Sequence, residues 1–599
     1  MKKIQIFASI ILIAVFSACS SFLEEVNPTA ITGVYETEAL LEANLAGVTP
    51  GHFFRQTFLE RFGSASGMTT WGMTGESTYS KNDYTYCMNF TVLSTASENR
   101  NMFIGLYRII QRVNLILANL PGSPVKDSYK REVEAECCFL RGIAYYNLAR
   151  YYGDVPLRLS VPNAEDATSC PCSPYYKVYE QAVKDFKFAE QYMRSPERAR
   201  EVSPVDFRPN RYAATAYLSC LYTHIGSLLA HPDDNFWDET KPERVPDFSA
   251  IGVSSAEDAY RLALEYAEKV IPESPTHEPD CRYALVEKIG DLYQFTPEFS
   301  RNGYTSWNNP EQIMVTSSSI ESANTDYFTR NTVPNYCPGT EQLTNSDNTA
   351  RTRCSRFLFE KWCSTYPGEM GIGTFKQVHI TSADPRLKAT IWYGNITLST
   401  GATITTYPYA NTMNRPSSMP YYKKYWCSRF AGSYGDCDYY DLRLGEIYLN
   451  AAEAAAWLND ETKARQYMEV LHARARHSVP DGEADSNMPD WGERTFANRN
   501  ELIEAIFWER MFELAGEGHD FTDTHRFGAR WLSNVVAKPL NQFYSLAVNQ
   551  PLFGKIYQTD ILFQEDRDLL RKSLLTPLPT TETDSNSGVD GHMDFTWGL

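Results

Sequence analysis

The chain has 599 residues, 43% hydrophobic and 22% charged, which excludes a disordered polymer and allows several core-sized units. Its 56 basic and 74 acidic residues leave a formal charge of −18, a balance that repels a phosphate backbone and excludes nucleic acid as a partner. Tyr (38) outnumbers Phe (31), and a ring with both an apolar face and a hydroxyl suits a wet interface better than a dry core.

At the start, Met1-Lys2-Lys3 is a positive n-region and Ile4 to Phe16 an apolar run. That run makes roughly 20 Å of helix, short of the ~30 Å needed to span a bilayer, so a signal peptide over residues 1–18 is expected. Ser17-Ala18-Cys19 resembles a bacterial lipobox, which makes Cys19 the expected lipidation site and mature N-terminus. Cleavage there removes Lys2 and Lys3 and takes the formal charge to −20. Glu24 and Glu25 follow closely, as in the surface-export signal of some lipoproteins, or simply as part of a solvated tether.

The segment Phe62 to Asn99 is rich in Gly, Ser, Thr, Asn and aromatics and reads as a long ordered loop. From Val133, apolar positions at Cys137, Leu140, Ala144, Leu148 and Tyr151 predict a helix that Gly153 and Pro156 end. Cys137 and Cys138 point about 100° apart on it. Cys170-Pro-Cys172 is too close for an easy internal bridge. Some disulfides are plausible among the twelve cysteines after the anchor, but no CxxC pair offers a zinc site. Tyr179 to Met193, Tyr212 to Leu229 and Ala259 to Val270 repeat the helical pattern, the last with Ala259, Ala263 and Ala267 on one stripe that admits a close partner helix.

His231 to Glu239 packs four carboxylates without the spacing of a calcium loop and reads as a solvated acidic loop. Tyr293 to Pro338 and Ile391 to Tyr440 are further aromatic-rich loops. Within the latter, Tyr421, Tyr422, Tyr425 and Trp426 with Lys423 and Lys424 read as a structural strand. Asp441 to Arg476 carries two apolar stripes around a break at Asn459-Asp460-Glu461 and predicts an antiparallel helix hairpin of tetratricopeptide type. Finally, Glu509, Glu513 and Glu517 recur at i+4 spacing near His519. They suit either acid–base or metal chemistry, or a buried ion-pair network in which Arg510 and Arg526 orient the helix end. No HExxH, GxSxG or P-loop is present, so no catalytic residue, metal or cofactor is assigned.

Four segments together resemble the SusD/RagB family of outer-membrane nutrient-binding lipoproteins. They are Cys19-Ser-Ser-Phe-Leu-Glu-Glu-Val-Asn-Pro-Thr with Glu38 to Gly47; Ala135 to Leu157; Asp441-Leu-Arg-Leu-Gly-Glu-Ile-Tyr-Leu-Asn-Ala-Ala-Glu-Ala454; and Trp508-Glu-Arg-Met-Phe-Glu-Leu-Ala-Gly-Glu-Gly-His519 through Arg526-Phe-Gly528. The second has Cys137-Cys138 where the family carries Ala-Arg, and the fourth has Met511 and Phe512 where arginines are usual. The resemblance implies a mostly α fold, with four tetratricopeptide-like helix pairs forming one compact scaffold, long irregular loops and a few short strands. It implies a single unit over 19–599, with an N-terminal part to 230 and a C-terminal part over 231–599. It also implies a non-enzymatic, lipid-anchored outer-membrane protein that binds a glycan, or in some branches a peptide, and caps a TonB-dependent SusC-like transporter as a lid.

A sugar ring packs its axial C–H groups on an aromatic face while its hydroxyls seek amide and charged partners. Trp71, Tyr79, Asn82, Asp83 and Tyr84 offer that mix in the first loop; Arg301, Tyr304, Trp307 and Asn308 offer it in the second. The family builds its pocket from loops in these two regions, so these are the expected ligand contacts. Two other readings remain at this level: a hydrolase using Glu509 to Glu517, and a helical scaffold that docks only a partner protein.

Overall fold

The structure is a computed structural model that describes residues 33–48, 94–163 apart from 96, 168–204, 207–237, 245–292, 309–316, 382–392, 439–542 and 564–589, with strand 70–72 and short strand and helix pieces between 352 and 435. In chain order its main elements are α1 (Glu38–Val48), β1 (Thr70–Gly72), α2 (Ser97–Asn119), α3 (Asp127–Tyr152), α4 (Tyr175–Tyr192), α5 (Arg211–Ala230), α6 (Ala256–Val270), β2 (Gln312–Thr316) and β3 (Thr352–Cys354). They continue with α7 (Arg356–Thr365), α8 (Pro385–Thr390), β4 (Ile391–Trp392), β5 (Tyr421–Tyr422), β6 (Tyr439–Arg443), α9 (Leu444–Trp457), α10 (Glu461–His477), α11 (Arg499–Glu513), α12 (Asp520–His525), α13 (Arg567–Lys572) and α14 (Thr580–Ser585).

Each expected helix is present, and its ends follow from local chemistry. Gly153 stops α3 at φ 73°, in the left-handed region that favours glycine, and its N–H reaches the Ala149 carbonyl at 3.0 Å. The side chains of Asn210, Ser255, Asp460 and Asn498 accept from backbone N–H groups in the first turns of α5, α6, α10 and α11. Between α9 and α10 the break falls at Asn459, the one non-glycine residue with positive φ (61°) among those described. The hairpin begins later than its sequence pattern indicates: residues 439–443 form β6, and the helix starts at Leu444.

The helices pack largely in sequence order, α2 on α3, α3 on α4, α4 on α5, α5 on α6, α6 on α9, and α9 on both α10 and α11. One apolar core runs through all of them. Small residues set the spacing. Ala259, Ala263 and Ala267 are fully buried, and the Ser219 hydroxyl of α5 donates to the Ala263 carbonyl of α6 at 2.9 Å. The helical tyrosines serve packing: Tyr145, Tyr146, Tyr151, Tyr152 and Tyr448 are all buried. This is the expected mostly helical architecture of helix pairs with a few short strands.

At the α3–α4 contact, a Cβ on Gly142 would lie 2.8 Å from the Phe186 ring, too close for any carbon contact. Gly142→Ala is expected to destabilise the fold by about 1–3 kcal/mol through overpacking. Gly122→Ala, where a Cβ meets nothing within 4 Å, should leave the thermal midpoint nearly unchanged.

The strands are few and antiparallel. A four-stranded sheet runs β1–β3–β5–β4, with Trp71 opposite Arg353 and Tyr421 opposite both Arg353 and Trp392. A separate ribbon pairs β2 with β6 through Tyr440↔Val315 and Arg443↔Gln312, with register shifts between. All three of the expected irregular stretches therefore contain regular structure: residues 70–72 form β1 and Asn99 lies within α2, residues 312–316 form β2, and β4, β5 and the start of β6 fall within 391–440.

The acidic loop after α5 is not simply solvated. Asp234 is buried and pairs with Arg567, at 2.6 Å, and with Arg530. Arg571 adds bonds to the carbonyls of Asn235 and Trp237 at 2.7 and 2.9 Å. Residues 564–589 thus run back across the helix ends, continuing through Thr576 N–H to the Tyr151 carbonyl and Asn586 to the Cys170 carbonyl. Cys137, Cys138, Cys170, Cys172, Cys220, Cys281 and Cys363 all carry free thiols, so none of them forms a disulfide. Among the described residues, no helix is long and apolar enough to cross a membrane.

Candidate functional site

The recurring carboxylates on and after α11 are fully buried, as are all the groups that hold them except the half-buried Arg494. Arg443, at the end of β6, is the hub. It donates to Glu311 at 2.8 Å, to Glu513 at 2.7 Å, and through two nitrogens to Glu517 at 2.8 and 2.9 Å. Arg474 of α10 bridges Glu311 and Glu513. Arg386 of α8 bridges Asp384, Glu509 and Glu513. Lys424 donates to Glu517 at 2.6 Å and to the Glu513 carbonyl at 3.1 Å. Glu509 also meets His472 at 3.0 Å, the Tyr366 hydroxyl and Arg494. Five carboxylates and five Arg or Lys side chains interlock, which is how so much charge can be buried.

Electrostatics follow from that geometry. Burial alone pushes Glu517 upward, but Arg443 and Lys424 outweigh it and bring its carboxyl to about 2. Burial likewise opposes Glu513, and Arg474, Arg443 and Arg386 hold it well below the usual carboxylate range. Glu509 is held low by His472, Arg386 and Arg494 against the same penalty. Burial brings Lys424 down to about 8, with Glu517 opposing the shift. A general acid at neutral pH needs a raised pKa and access to substrate, and these three carboxylates have neither. The spacing at 509, 513 and 517 therefore builds structure.

Arg510 and Arg526 do not belong to this lattice, contrary to the reading from spacing. Arg510 bonds Asp523, Asn450 and Glu446 at 2.6, 2.7 and 2.6 Å. Arg526 grips both oxygens of Glu453 and reaches Asp523. Glu446, Asn450 and Glu453 lie at i, i+4 and i+7 on α9, so this second layer joins the last family-like segment to the helix hairpin.

The lattice fixes the residues that flank the segment 293–308. Glu311 accepts from the Val286 N–H at 3.1 Å, and its own carbonyl accepts from the Leu444 N–H at 3.0 Å. Just beyond, the Tyr440 hydroxyl donates to the Leu292 carbonyl and accepts from the Asn309 amide at 3.4 Å. Both ends of the segment 293–308 therefore meet at one hydroxyl. Val286, Ile289, Leu292, Val315 and Tyr440 form a small separate core under it.

Arg301, Tyr304, Trp307 and Asn308 belong to that segment and lie outside the described residues, as do Tyr79, Asn82, Asp83, Tyr84 and the lipidation candidate Cys19. Trp71 is placed only through its backbone, in β1 opposite Arg353. The residues that sequence reasoning missed are those of the stem: Asn309, Glu311, Gln312 and Tyr440, whose signal was the apolar run Ile313-Met314-Val315, short enough to be a strand. Lys424 and Arg443 fall in segments that the sequence marks, without a sign of their ion-pair role.

The chain is similar to known proteins. A family model described as the SusD family matches residues 310–592, and one described as starch-binding associating with outer membrane matches residues 21–223. SusD-like protein P2 of Formosa agariphila is 26% identical over 123 residues, 20% of this chain; the match spans only 23% of that relative's length. A SusD homolog from Bacteroides thetaiotaomicron superposes with a TM-score of 0.63 at 17% identity, covering 92% of this chain and 96% of its own. Surface glycan-binding protein A from Bacteroides uniformis gives 0.60 at 16%, covering 92% and 99%. A laminarin-binding SusD-like protein gives 0.59 at 18%, covering 92% and 98%. At these identities the likeness is one of fold.

Proposed function

This chain belongs to the SusD/RagB-like family, and from that premise we propose that it is a non-enzymatic receptor, anchored in the outer membrane through lipid on Cys19 after loss of residues 1–18. It binds an oligo- or polysaccharide and passes it to a SusC-like TonB-dependent transporter, over which it acts as a lid. The mature chain from 19 onward works as one unit in this reading. Solved proteins of this fold include a laminarin-binding one, one crystallised with a xylogluco-oligosaccharide and a surface glycan-binding protein, which supports the ligand class.

The observation that carries the reading is the stem of segment 293–308. Its ends are joined on Tyr440 above a fully ion-paired base, the rigid mounting that a loop-built binding face needs. Arg301, Tyr304, Trp307 and Asn308 on that segment, with Trp71, Tyr79, Asn82, Asp83 and Tyr84, supply ring faces and polar partners for a sugar. The buried state of Glu509, Glu513 and Glu517 removes the one carboxylate set that favoured a hydrolase.

The test is titration of the soluble chain from Ser20 with a glycan panel, repeated for Trp71→Ala and Trp307→Ala. Each stacked ring contributes about 1 kcal/mol or more, so at least one variant should weaken binding fivefold or more. Full affinity in both variants would overturn the site assignment. Peptide binding without glycan binding would overturn the substrate class.

A further inference from the structure

Beside that stem lies a cleft of about 220 Å³, formed where residues 196–203, 207–210, 282–283 and 309–312 meet. Its floor is polar and buried. Asn309, Gln312 and Tyr283 are 5%, 4% and 9% exposed. The Tyr283 hydroxyl donates to Asn210 at 3.4 Å, whereas the Gln312 Nε2 has no hydrogen-bond partner. A buried amide donor without an acceptor is an unfilled demand.

The rim is cationic. Arg200, Arg208 and Arg282 line the cleft and, among the described residues, no carboxylate does, in a chain whose formal charge is −18. Arg208 is committed to Glu136, at 2.9 Å, and to Glu42, and so acts as a fixed wall. Arg282 is held only by a loose pair with Glu197 at 3.5 Å, with both side chains exposed. Exposed pairs of this kind contribute little and exchange readily. A guanidinium fork matches a carboxylate or a sulfate oxygen pair, while Phe207 and Tyr283 offer ring faces. The volume falls below the ~300–1,000 Å³ of drug-sized sites, which limits the occupant to about one ring with its substituent.

We propose that this cleft is a second subsite that takes an acidic sugar unit, with the anionic substituent on Arg282 at the cationic rim it shares with Arg200 and the ring hydroxyls on Asn309 and Gln312. The inference rests on the glycan-binding reading. The shared chemistry is an anionic sugar, a hexuronate carboxylate or a sulfate ester.

The experiment titrates the soluble chain from Ser20 with trigalacturonate, galactose 6-sulfate and neutral galactotriose, each at low and high salt, and repeats the series with the double variant Arg200→Ala/Arg282→Ala. Both arginines are exposed, so the variant should keep its thermal midpoint. At least one acidic ligand should bind more tightly than the neutral sugar, weaken with salt, and lose tenfold or more in the variant; which one does so identifies carboxylate or sulfate. Neutral-sugar binding should be the same in both proteins. Acidic binding unmoved by the variant, or no preference over galactotriose, would overturn the subsite and leave the loop reading standing. No binding of any glycan, including those of the wider panel, would overturn both.

Discussion

Arg443→Met is expected to destabilise the protein by about 3–5 kcal/mol, the usual consequence of removing one partner from a buried ion-pair cluster. The side chain is 1% exposed and touches Glu311, Glu513 and Glu517, so its loss leaves three buried carboxylates short of their main cation. Arg443→Lys should recover only part of the loss, because one ammonium cannot reproduce a fork that reaches all three. Denaturant unfolding reads the effect as a fall in midpoint. A change below about 1 kcal/mol would mean that the lattice is not what ties the 309–316 stem to α11.

The second large effect is with acid. His525 is buried and neutral in the fold, with burial lowering its pKa to about 4, and burial also lowers His224 and His231. An unfolded histidine takes up its proton near 6.5, so stability from these groups is complete above pH 6.5 and falls as pH drops toward 4. The depressed carboxylates follow. For Glu517 the contribution is complete above 4.5 and is lost as pH falls toward 2; Glu513 and Glu509 act in the same sense. Glu517 and His525 each account for about 3 kcal/mol by linkage. Glu136 and Asp185, raised by burial despite their arginines, work in the opposite direction and soften the decline. Urea midpoints taken from pH 7.5 to 3.5 should hold down to about 6.5 and fall below it, with a steeper limb below 4.5. A flat profile over that range would contradict the lattice as described.

The helices were readable because each is a local object. A 3.6-residue apolar period, a capping side chain and a terminal glycine lie within twenty or so residues, and α3, α5 and the α9–α10 hairpin follow them closely. The charge lattice was half readable. Spacing announced Glu509, Glu513 and Glu517, but their partners Arg386, Arg443, Arg474 and Lys424 come from separate segments in which a single basic residue carries no signal. Arg510 and Arg526, being close in sequence, were the natural partners to guess, and both are occupied by α9 and Asp523. The same distance hid Asp234, which lies in a run of acids but finds Arg567 across the fold. Of the candidate site, the loop aromatics could be named from composition, whereas the stem at Asn309 and Tyr440 depends on a long-range strand pairing with a shifted register.

Because Leu292 and Asn309 meet at one hydroxyl, the chain between them begins and ends at nearly the same point. The closure of that segment is already secured by the frame, so each doubling of its length adds only about 0.6 kcal/mol of closure entropy. By that scaling, a change of length between positions 292 and 309 is expected to cost the scaffold little stability. If that segment carries ligand contacts, as proposed, the position is an exchangeable cassette where specificity could diversify without renegotiating the fold.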